Sequence, residues 1–248
     1  MTTPVKPSRP LVSAAGKAIG DYQMIRDGDR ILLGLSGGKD SLSLLHLLID
    51  LQKKAPIKFD LAACTVDPQS PEFDPSPLKP YMAALGVPYF YESQPIVEQA
   101  ETHMQGDSFC AYCSRMRRGI LYRVARERGY NVLALAQHLD DLAETFLMSS
   151  FFGGKLRTMQ AHYTIDAGDL RVIRPFVYVR ERQTRDFAVP AELPVIYENC
   201  PACFSKPMQR YQMKHLLAEQ ERQHPTLFAS LLTAMRPLMG TPPDLPSP

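Results

Sequence analysis

The chain has 248 residues, of which 45 % are apolar and 22 % charged, and these ordinary proportions exclude disorder of the whole chain. This length suits one α/β domain with a small appendage. The net charge of +2 excludes a generally basic nucleic-acid-binding chain, so any RNA surface has to be a local patch. Residues 1–10 contain no apolar signal segment and no run of about 18 apolar residues exists, so we expect a cytoplasmic protein without a membrane span.

Strand and helix patterns alternate along most of the chain. Strands are expected at 31–35, 59–66, 88–91, 132–136, 172–176 and 195–197. Helices are expected at 42–48, 78–85, 114–128 and 139–152, and further helices at 208–239. The alternation predicts a Rossmann-like α/β fold, a parallel sheet with helices on both faces. In such folds ligands bind beyond the carboxyl ends of the strands, so we expect the loops after residues 35, 66, 136 and 197 at the functional edge.

A glycine-containing loop, Ser36-Gly37-Gly38-Lys39-Asp40-Ser41, lies between the first strand and the first helix. Glycines let the backbone approach an anion closely, and the free N–H groups and positive dipole end of the next helix attract it. The loop therefore predicts a phosphate site. Its spacing differs from a Walker A loop, because three residues separate Gly34 from Gly38 and an aspartate follows the lysine. The alternative is a simple turn before a buried helix.

Four of the five cysteines form two C-x-x-C pairs, Cys110 with Cys113 and Cys200 with Cys203. In a cytosolic chain such pairs indicate metal binding or redox chemistry rather than a disulphide framework. Thiolates suit both zinc and iron–sulphur clusters, and the spacing alone does not separate the two. The other alternative is a set of unrelated cysteines. Cys64, inside an apolar strand, is expected to be a core residue.

A resemblance to a known family emerges when the motifs are taken in order. S-G-G-K-D-S at 36–41 and C-x-x-C-S-R-x-R-R at 110–118 are followed by H-x-D-D at 138–141, G-G-K at 153–155 and I-R-P at 173–175. Together they resemble the tRNA 2-thiocytidine synthetase family, within the PP-loop pyrophosphatases (adenine nucleotide α-hydrolases), over roughly residues 28–203. The resemblance implies that ATP, with Mg²⁺, activates the C2 oxygen of an anticodon-loop cytidine, at tRNA position 32, as an adenylate. Sulphur then replaces the activated oxygen.

The resemblance also assigns roles to residues. ATP binding falls to Ser36, Gly37, Gly38, Lys39, Asp40, Ser41 and His138. Asp40 and Asp141 are assigned to catalysis and Mg²⁺, although Asp140 and Asp141 also suit a helix N-terminus as dipole-facing charges. A [4Fe-4S] cluster would be held by Cys110, Cys113 and Cys200, leaving one iron open, with Cys203 available for sulphur handling.

A dense basic run predicts the RNA contact. Arg115, Arg117 and Arg118 are expected to bind RNA phosphates, because arginine forks suit phosphate and phosphates dominate nucleic-acid affinity. A solvated helix face is the alternative. The resemblance further implies three partners: tRNA, a sulphur donor such as a cysteine desulphurase, and a second copy of the chain in a homodimer.

The expected organisation has four parts. These are an N-terminal segment at 1–27, a PP-loop ATP pyrophosphatase domain with the iron–sulphur site at 28–205, C-terminal helices at 206–240 and a flexible tail at 241–248. Three other functions remain as alternatives. They are thiolation or desulphurisation of another base or a small molecule, lysidine-type ligation, which needs no cysteine pairs, and a zinc-stabilised RNA-binding module.

Overall fold

The computed structural model describes residues 4–103, 109–196 and 209–240. Within them one sheet has the strand order β3-β2-β1-β4-β6-β5. The strands are β1 Asp29–Gly34, β2 Phe59–Asp67, β3 Tyr89–Ser93, β4 Val132–Ala134, β5 His162–Thr164 and β6 Arg171–Ile173. All neighbours pair in parallel except β5, which is antiparallel to β6 at the sheet's edge. The predicted parallel α/β fold is confirmed, with β5 as an addition that the patterns did not indicate.

The helices alternate with the strands, as the fold class requires. They are α1 Arg9–Asp21, α2 Lys39–Lys54, α3 Leu78–Leu85, α4 Ile96–His103, α5 Phe109–Glu127, α6 Leu139–Gly153, α7 Glu181–Ala188, α8 Gln209–Gln223 and α9 Leu227–Met235, followed by a short 3-10 helix, Arg236–Leu238. No helix among the described residues is long and apolar enough to cross a membrane.

Successive side chains of the central strands point to opposite faces of the sheet, so each strand contributes to two apolar cores, one on each face. In β1, Ile31 and Leu33 pack into the larger core, which α1, α2, α6, α7 and the C-terminal helices cover. Leu32, between them, faces the second core, beneath α4 and α5. A strand that is buried on both faces has an almost continuously apolar sequence, and this is why the apolar run at 31–35 predicted β1. Helices therefore cover both faces of the sheet, as predicted.

Two parts of the chain lie differently from the expectations. Residues 195 and 196 form no strand; instead Ile196 N–H donates to Gly37 O (2.9 Å), which fixes this segment against the loop at 36–41. Segment 1–27, expected to precede the domain, contributes α1, and its Leu11 is fully buried in the larger core. The expected tail at 241–248 lies outside the described residues.

Candidate nucleotide-binding site

The site forms where the strand order changes direction. β1 pairs with β2 on one side and with β4 on the other, so the strand order reverses between β1 and β4, and the loops that follow these two neighbouring parallel strands lie at the same edge of the sheet. A crevice between such loops, at the carboxyl ends of the strands, is the usual ligand site of open α/β sheets. The loop at 36–41, called the phosphate loop from here on, follows β1 at this point, and residues 136–138 follow β4.

Hydrogen bonds within the phosphate loop fix its conformation. Gly38 N–H donates to Ser36 Oγ (3.3 Å), and Ser41 Oγ donates to Gly38 O (2.9 Å). Gly38 is the N-cap of α2, and no described side chain caps this helix end. The backbone N–H groups of the first turn are therefore available to an anion.

Gly37 requires glycine for two reasons. Its φ is +87°, which disfavours residues with a side chain. A Cβ at this position would also lie 2.6 Å from Cδ1 of Ile196. The close approach of residue 196 therefore depends on the missing side chain.

Lys39 and Asp40 belong to an ionic network at the start of α2. Lys39 Nζ lies 3.0 Å from Asp40 Oδ2 and 3.0 Å from Glu181 Oε1, and Lys214 of α8 contacts the same glutamate at 2.7 Å. Burial alone would lower the pKa of Lys39, but the charges of Asp40 and Glu181 outweigh it and raise the pKa. Thr184 Oγ1 donates to the other Asp40 oxygen. These contacts orient the first turn of α2.

His138 closes the start of α6. Its Nδ1 accepts from Asp141 N–H (3.3 Å), while the Asp141 carboxylate accepts from His138 N–H (3.0 Å), so the two residues form a capping box. The imidazole is buried, and its Nε2 lies 3.8 Å from Asp40 Oδ2. His138 thus lies between the two aspartates and behind the cavity described next. Asp140 points away from that cavity and pairs with Arg180 of the α7 N-cap at 3.0 Å.

A cavity of about 480 Å³, called the edge cavity, opens at this edge of the sheet. This volume is within the range of about 300–1,000 Å³ that is typical of small-ligand sites. The lining comes from β1 and the phosphate loop, β2, α5, the loop after β4, α6 and two later segments: Gly34, Leu35, Ser36, Asp40, Ser41, Cys64, Val66, Ser114, Arg117, Arg118, Leu121, Leu135, Ala136, Gln137, Asp141, Met159 and Arg174.

Only part of the basic run on α5 lines this cavity. Arg117 and Arg118 are lining residues, whereas Arg115 is exposed and is not among them. Arg174, which follows β6, adds a third guanidinium; its Nε donates to Gln137 Oε1 (2.9 Å) and its Nη1 to Gln160 O (2.6 Å). Arg174 belongs to the I-R-P motif at 173–175, but it was assigned no role from the sequence. Its position directly after a strand, at the carboxyl edge of the sheet, is the signal that could have identified it.

The cysteines are described only in part. Cys113 is half-buried, packs against the core beneath α5 and precedes Ser114 of the cavity lining. The backbone of Cys110 belongs to the first turn of α5, while Cys200 and Cys203 lie outside the described residues. Cys64 is buried within β2, and burial raises the pKa of its thiol to about 12, so it is an unreactive core residue that also contacts the cavity.

Three residues of this site had no local sequence signal. Glu181 and Thr184 of α7 reach Lys39 and Asp40, and Arg210 of α8 pairs at 2.9 Å with Glu144, a buried carboxyl of α6. Burial raises the pKa of Glu144. The contacts arise because α7 and α8 pack beside α2 and α6, which only the folded chain reveals.

Fold and site together define a nucleotide-binding protein of the PP-loop class, since the phosphate loop begins α2 at the switch point of a parallel sheet. A family model described as the PP-loop domain matches residues 11–202. Among curated relatives, the tRNA-cytidine(32) 2-sulfurtransferase of Geobacter sulfurreducens is 42 % identical, over 90 % of this chain and 87 % of its own. The enzyme of the same name from Aliivibrio salmonicida is 44 % identical, over 89 % of this chain and 72 % of its own. The chain belongs to the tRNA-cytidine(32) 2-sulfurtransferase family, as the motifs predicted.

Solved structures share the fold. The U34-tRNA thiolase NcsA from Methanococcus maripaludis, determined with its [4Fe-4S] cluster, superposes with a TM-score of 0.72 at 23 % identity, over 92 % of this chain and 78 % of its own. The NH3-dependent NAD synthetase from Campylobacter jejuni superposes with a TM-score of 0.50 at 17 % identity, over 96 % and 98 %. At these identities the likeness establishes the common sheet and helix arrangement.

Proposed function

We propose that the chain uses ATP and Mg²⁺ to adenylate the C2 oxygen of cytidine 32 in tRNA and then replaces that activated oxygen with sulphur, with AMP and diphosphate as the other products. The observation that carries this proposal is the edge cavity itself. The phosphate loop forms one wall, and the face of α5 that carries Ser114, Arg117 and Arg118 forms another, on the helix whose first turns hold the C-x-x-C motif. One cavity thus adjoins an ATP cradle, cationic groups and a cysteine-bearing helix.

The phosphate loop suits the diphosphate part of ATP. Ser36 and Ser41 line the cavity beside the uncapped N-terminus of α2. Lys39, in the same turn, is not a lining residue but contacts the lining residue Asp40 at 3.0 Å. Asp40 and Asp141 are the two carboxylates among the described lining residues. Carboxylate oxygens are the preferred protein ligands of Mg²⁺. These residues would therefore hold the ion between loop and nucleotide.

The chemistry requires two displacements. The cytidine O2 attacks the α-phosphorus, a C2–O–P linkage forms, and diphosphate leaves. Sulphur at the sulphide level then adds at C2, the C2–O bond breaks, and AMP departs with that electron pair while the proton of the sulphur goes to solvent. Arg117 and Arg118 stabilise the charge that builds up on the departing phosphate, because guanidinium groups in a partly desolvated cavity act strongly on such charge.

Two observations support a [4Fe-4S] cluster near this cavity. Residues 110 and 113 belong to the first turns of α5, and Ile196 contacts the phosphate loop four residues before Cys200, a stretch that spans at most about 14 Å. Three thiolates, Cys110, Cys113 and Cys200, would hold the cluster, and Cys203 would handle sulphur. When bound, a cluster with one open iron position supplies a place to carry and deliver sulphur.

The partners follow from the same proposal. tRNA is the substrate, Arg115 extends the basic face of α5 into solvent, and a sulphur donor such as a cysteine desulphurase supplies the sulphur. The homodimer rests on the family resemblance alone.

The test is a complete reaction in vitro. The anaerobically purified full chain is incubated with ATP, Mg²⁺, sulphide and an unmodified tRNA transcript, and the digested nucleosides are analysed by mass spectrometry. We expect 2-thiocytidine and one AMP for each thiolated base. ATP cleavage that leaves every nucleoside unchanged would refute the proposal.

A matched pair of variants identifies the site. Asp40→Asn removes the carboxylate of α2 that lines the cavity. Electrostatic stabilisation by fixed groups dominates the catalysis of phosphoryl and nucleotidyl transfer, and removing one such group typically lowers the rate by about 10²-fold or more. We therefore expect at least a tenfold loss of 2-thiocytidine. Asp50→Asn changes the same residue type on the same helix, where it pairs with Lys54 away from the cavity, and should leave the reaction intact.

A further inference from the structure

A second cavity of about 480 Å³, called the side cavity, shares a wall with the edge cavity. The shared wall consists of Arg118, Met159 and Arg174. On the far side, the loop at 156–160 and Tyr163 of β5 complete the side cavity together with Leu238. No residue of the phosphate loop is among its described lining residues, so this space lies next to the ATP cradle without being part of it.

The side cavity is basic. Three guanidinium groups line it, those of Arg118, Arg157 and Arg174, and none of its described lining residues is acidic. Arginine forks match phosphate oxygens, which makes an anion of the phosphate class the natural occupant.

Arg174 gives the strongest sign of a ligand. It is only 4 % exposed, and no described carboxylate lies within ion-pair distance of it. Burying a cation without a counter-charge is costly, and burial lowers the pKa of this guanidinium. Its present partners are neutral: the Gln137 amide, the Gln160 carbonyl and the Tyr163 ring, whose centroid lies 5.5 Å from Cζ. A bound phosphate would supply the missing negative charge.

The walls of the side cavity are fixed in place. Thr158 Oγ1 donates to Leu142 O (2.8 Å), and Ser149 Oγ donates to Lys155 O (2.8 Å), so the loop after α6 is tied to that helix at two points. Exposed apolar side chains lie in the last turn of α6 and in the loop after it, with Phe151 at 59 % and Leu156 at 68 % exposure. Aromatic groups beside cations are typical of single-stranded nucleic-acid sites, because every base offers a face for stacking.

We propose that the side cavity binds a backbone phosphate of the single-stranded tRNA loop next to the acceptor cytidine, with Arg157 at its outer rim and Arg118 and Arg174 at the wall shared with the edge cavity. The inference rests on the proposed function, to which it adds the direction from which the RNA approaches the edge cavity. A phosphate held at the shared wall would place the attached base at the edge cavity, which the proposed function assigns to ATP. Arg157 is a positioning residue in this arrangement.

The experiment measures RNA and ATP binding separately. A fluorescently labelled RNA hairpin with a cytidine-containing loop is titrated with the full chain at several salt concentrations, and ATP affinity is measured by calorimetry. For Arg157→Ala we expect roughly three- to tenfold weaker RNA binding and a salt slope that is smaller by about 0.7, the value for one phosphate contact on a single strand. ATP affinity should not change, because Arg157 does not line the edge cavity.

Two further variants serve as controls. Arg157→Lys keeps the charge and should retain most of the RNA affinity and the salt slope. Lys53→Ala removes an exposed positive charge near the C-terminal end of α2, away from both cavities, and should bind RNA like the unaltered chain. Equal losses in Lys53→Ala and Arg157→Ala would mean that only the overall charge matters and would overturn the inference.

The remaining outcomes separate the inference from the proposed function. If the unaltered chain produces 2-thiocytidine and Arg157→Ala binds the hairpin normally, the inference fails while the proposed function stands. If Arg157→Ala instead weakens ATP binding, the side cavity serves the nucleotide and the RNA assignment is wrong. If that variant changes only the oligomeric state in sedimentation, the surface is a contact between chains, which also refutes the inference. An unaltered chain that makes no 2-thiocytidine removes the proposed function itself.

Discussion

At the scale of single residues, Glu181 controls the position of the phosphate-loop lysine. Its carboxylate lies between Lys39 and Lys214, at 3.0 and 2.7 Å, and is mostly buried. Burial alone would raise the pKa of Glu181, but the hydrogen bonds and charges of Lys214 and Lys39 outweigh it and lower the pKa to about 2 from an ordinary 4.5. A group with a lowered pKa stabilises the fold above its ordinary pKa, and this contribution is lost as the pH falls towards its folded value.

Glu181→Gln therefore has a pH-dependent effect. We expect the variant to lower the free energy of unfolding by on the order of 2 kcal/mol at pH 7, and the difference from the unaltered chain to shrink between about pH 4.5 and pH 2. Urea unfolding at pH 7 and pH 3 measures both values. Glu127→Gln, in an exposed pair with Arg123, is the control and should change stability by less than about 0.5 kcal/mol at either pH. A Glu181→Gln effect that is equal at both pH values would contradict the argument.

At the scale of elements, Arg180 joins three helices at the back of the site. Its guanidinium donates to Glu221 of α8 at 2.6 and 2.8 Å and to Asp140 of α6 at 3.0 Å, and its Cζ lies 3.2 Å from the ring centroid of Phe228 in α9. Arg180 is also the N-cap of α7, the helix that carries Glu181. Arg180 thus links the C-terminal helices to the start of α7, in addition to the direct contact of Lys214 with Glu181.

Removing Arg180 leaves two carboxylates in a mostly buried place without their cation. Breaking a buried pair in this way typically costs about 3–5 kcal/mol, so we expect Arg180→Ala to lower the free energy of unfolding by that amount. Arg182→Ala is a close control, because Arg182 reaches the same Glu221 at 3.8 Å but is 61 % exposed, and its loss should cost less than about 1 kcal/mol. Denaturant midpoints compare the two. Equal costs would show that burial of the pair is unimportant.

The sequence predicted elements whose signal is local. The phosphate loop lies between a buried apolar run and an apolar helix, and α3 ends at Gly86, whose φ is +69°. β5 gave no such signal, because three residues at a sheet edge owe their structure to pairing with β6. The residues around the phosphate loop show the same division. Residues 36–41 are contiguous, whereas Glu181 lies 142 positions from Lys39 and meets it only because α7 packs on α2.

At the scale of the whole molecule, a cluster held by both C-x-x-C motifs would join the two faces of the sheet. The first motif lies in the first turns of α5, which covers one face, while Ile196, four residues before the second motif, packs in the core of the other face and contacts the phosphate loop. Because the two pairs of cysteines are about ninety positions apart in sequence, a metal site shared by them would depend on the complete fold. A metal site of this kind is a test of the overall architecture as well as of the cofactor.

Iron analysis of matched cysteine variants makes this test. The anaerobically purified chain should contain about four iron and four sulphide per chain and absorb in the visible range, as a [4Fe-4S] cluster does. Cys113→Ala removes one proposed thiolate and should lose most of the iron, whereas Cys64→Ala alters a buried cysteine of β2 and should keep it. Circular dichroism checks that both variants are folded. Zinc in place of iron, or an unchanged iron content in Cys113→Ala, would reject the cluster while leaving the ATP cradle, since the phosphate loop is built from β1 and α2 and uses no cysteine.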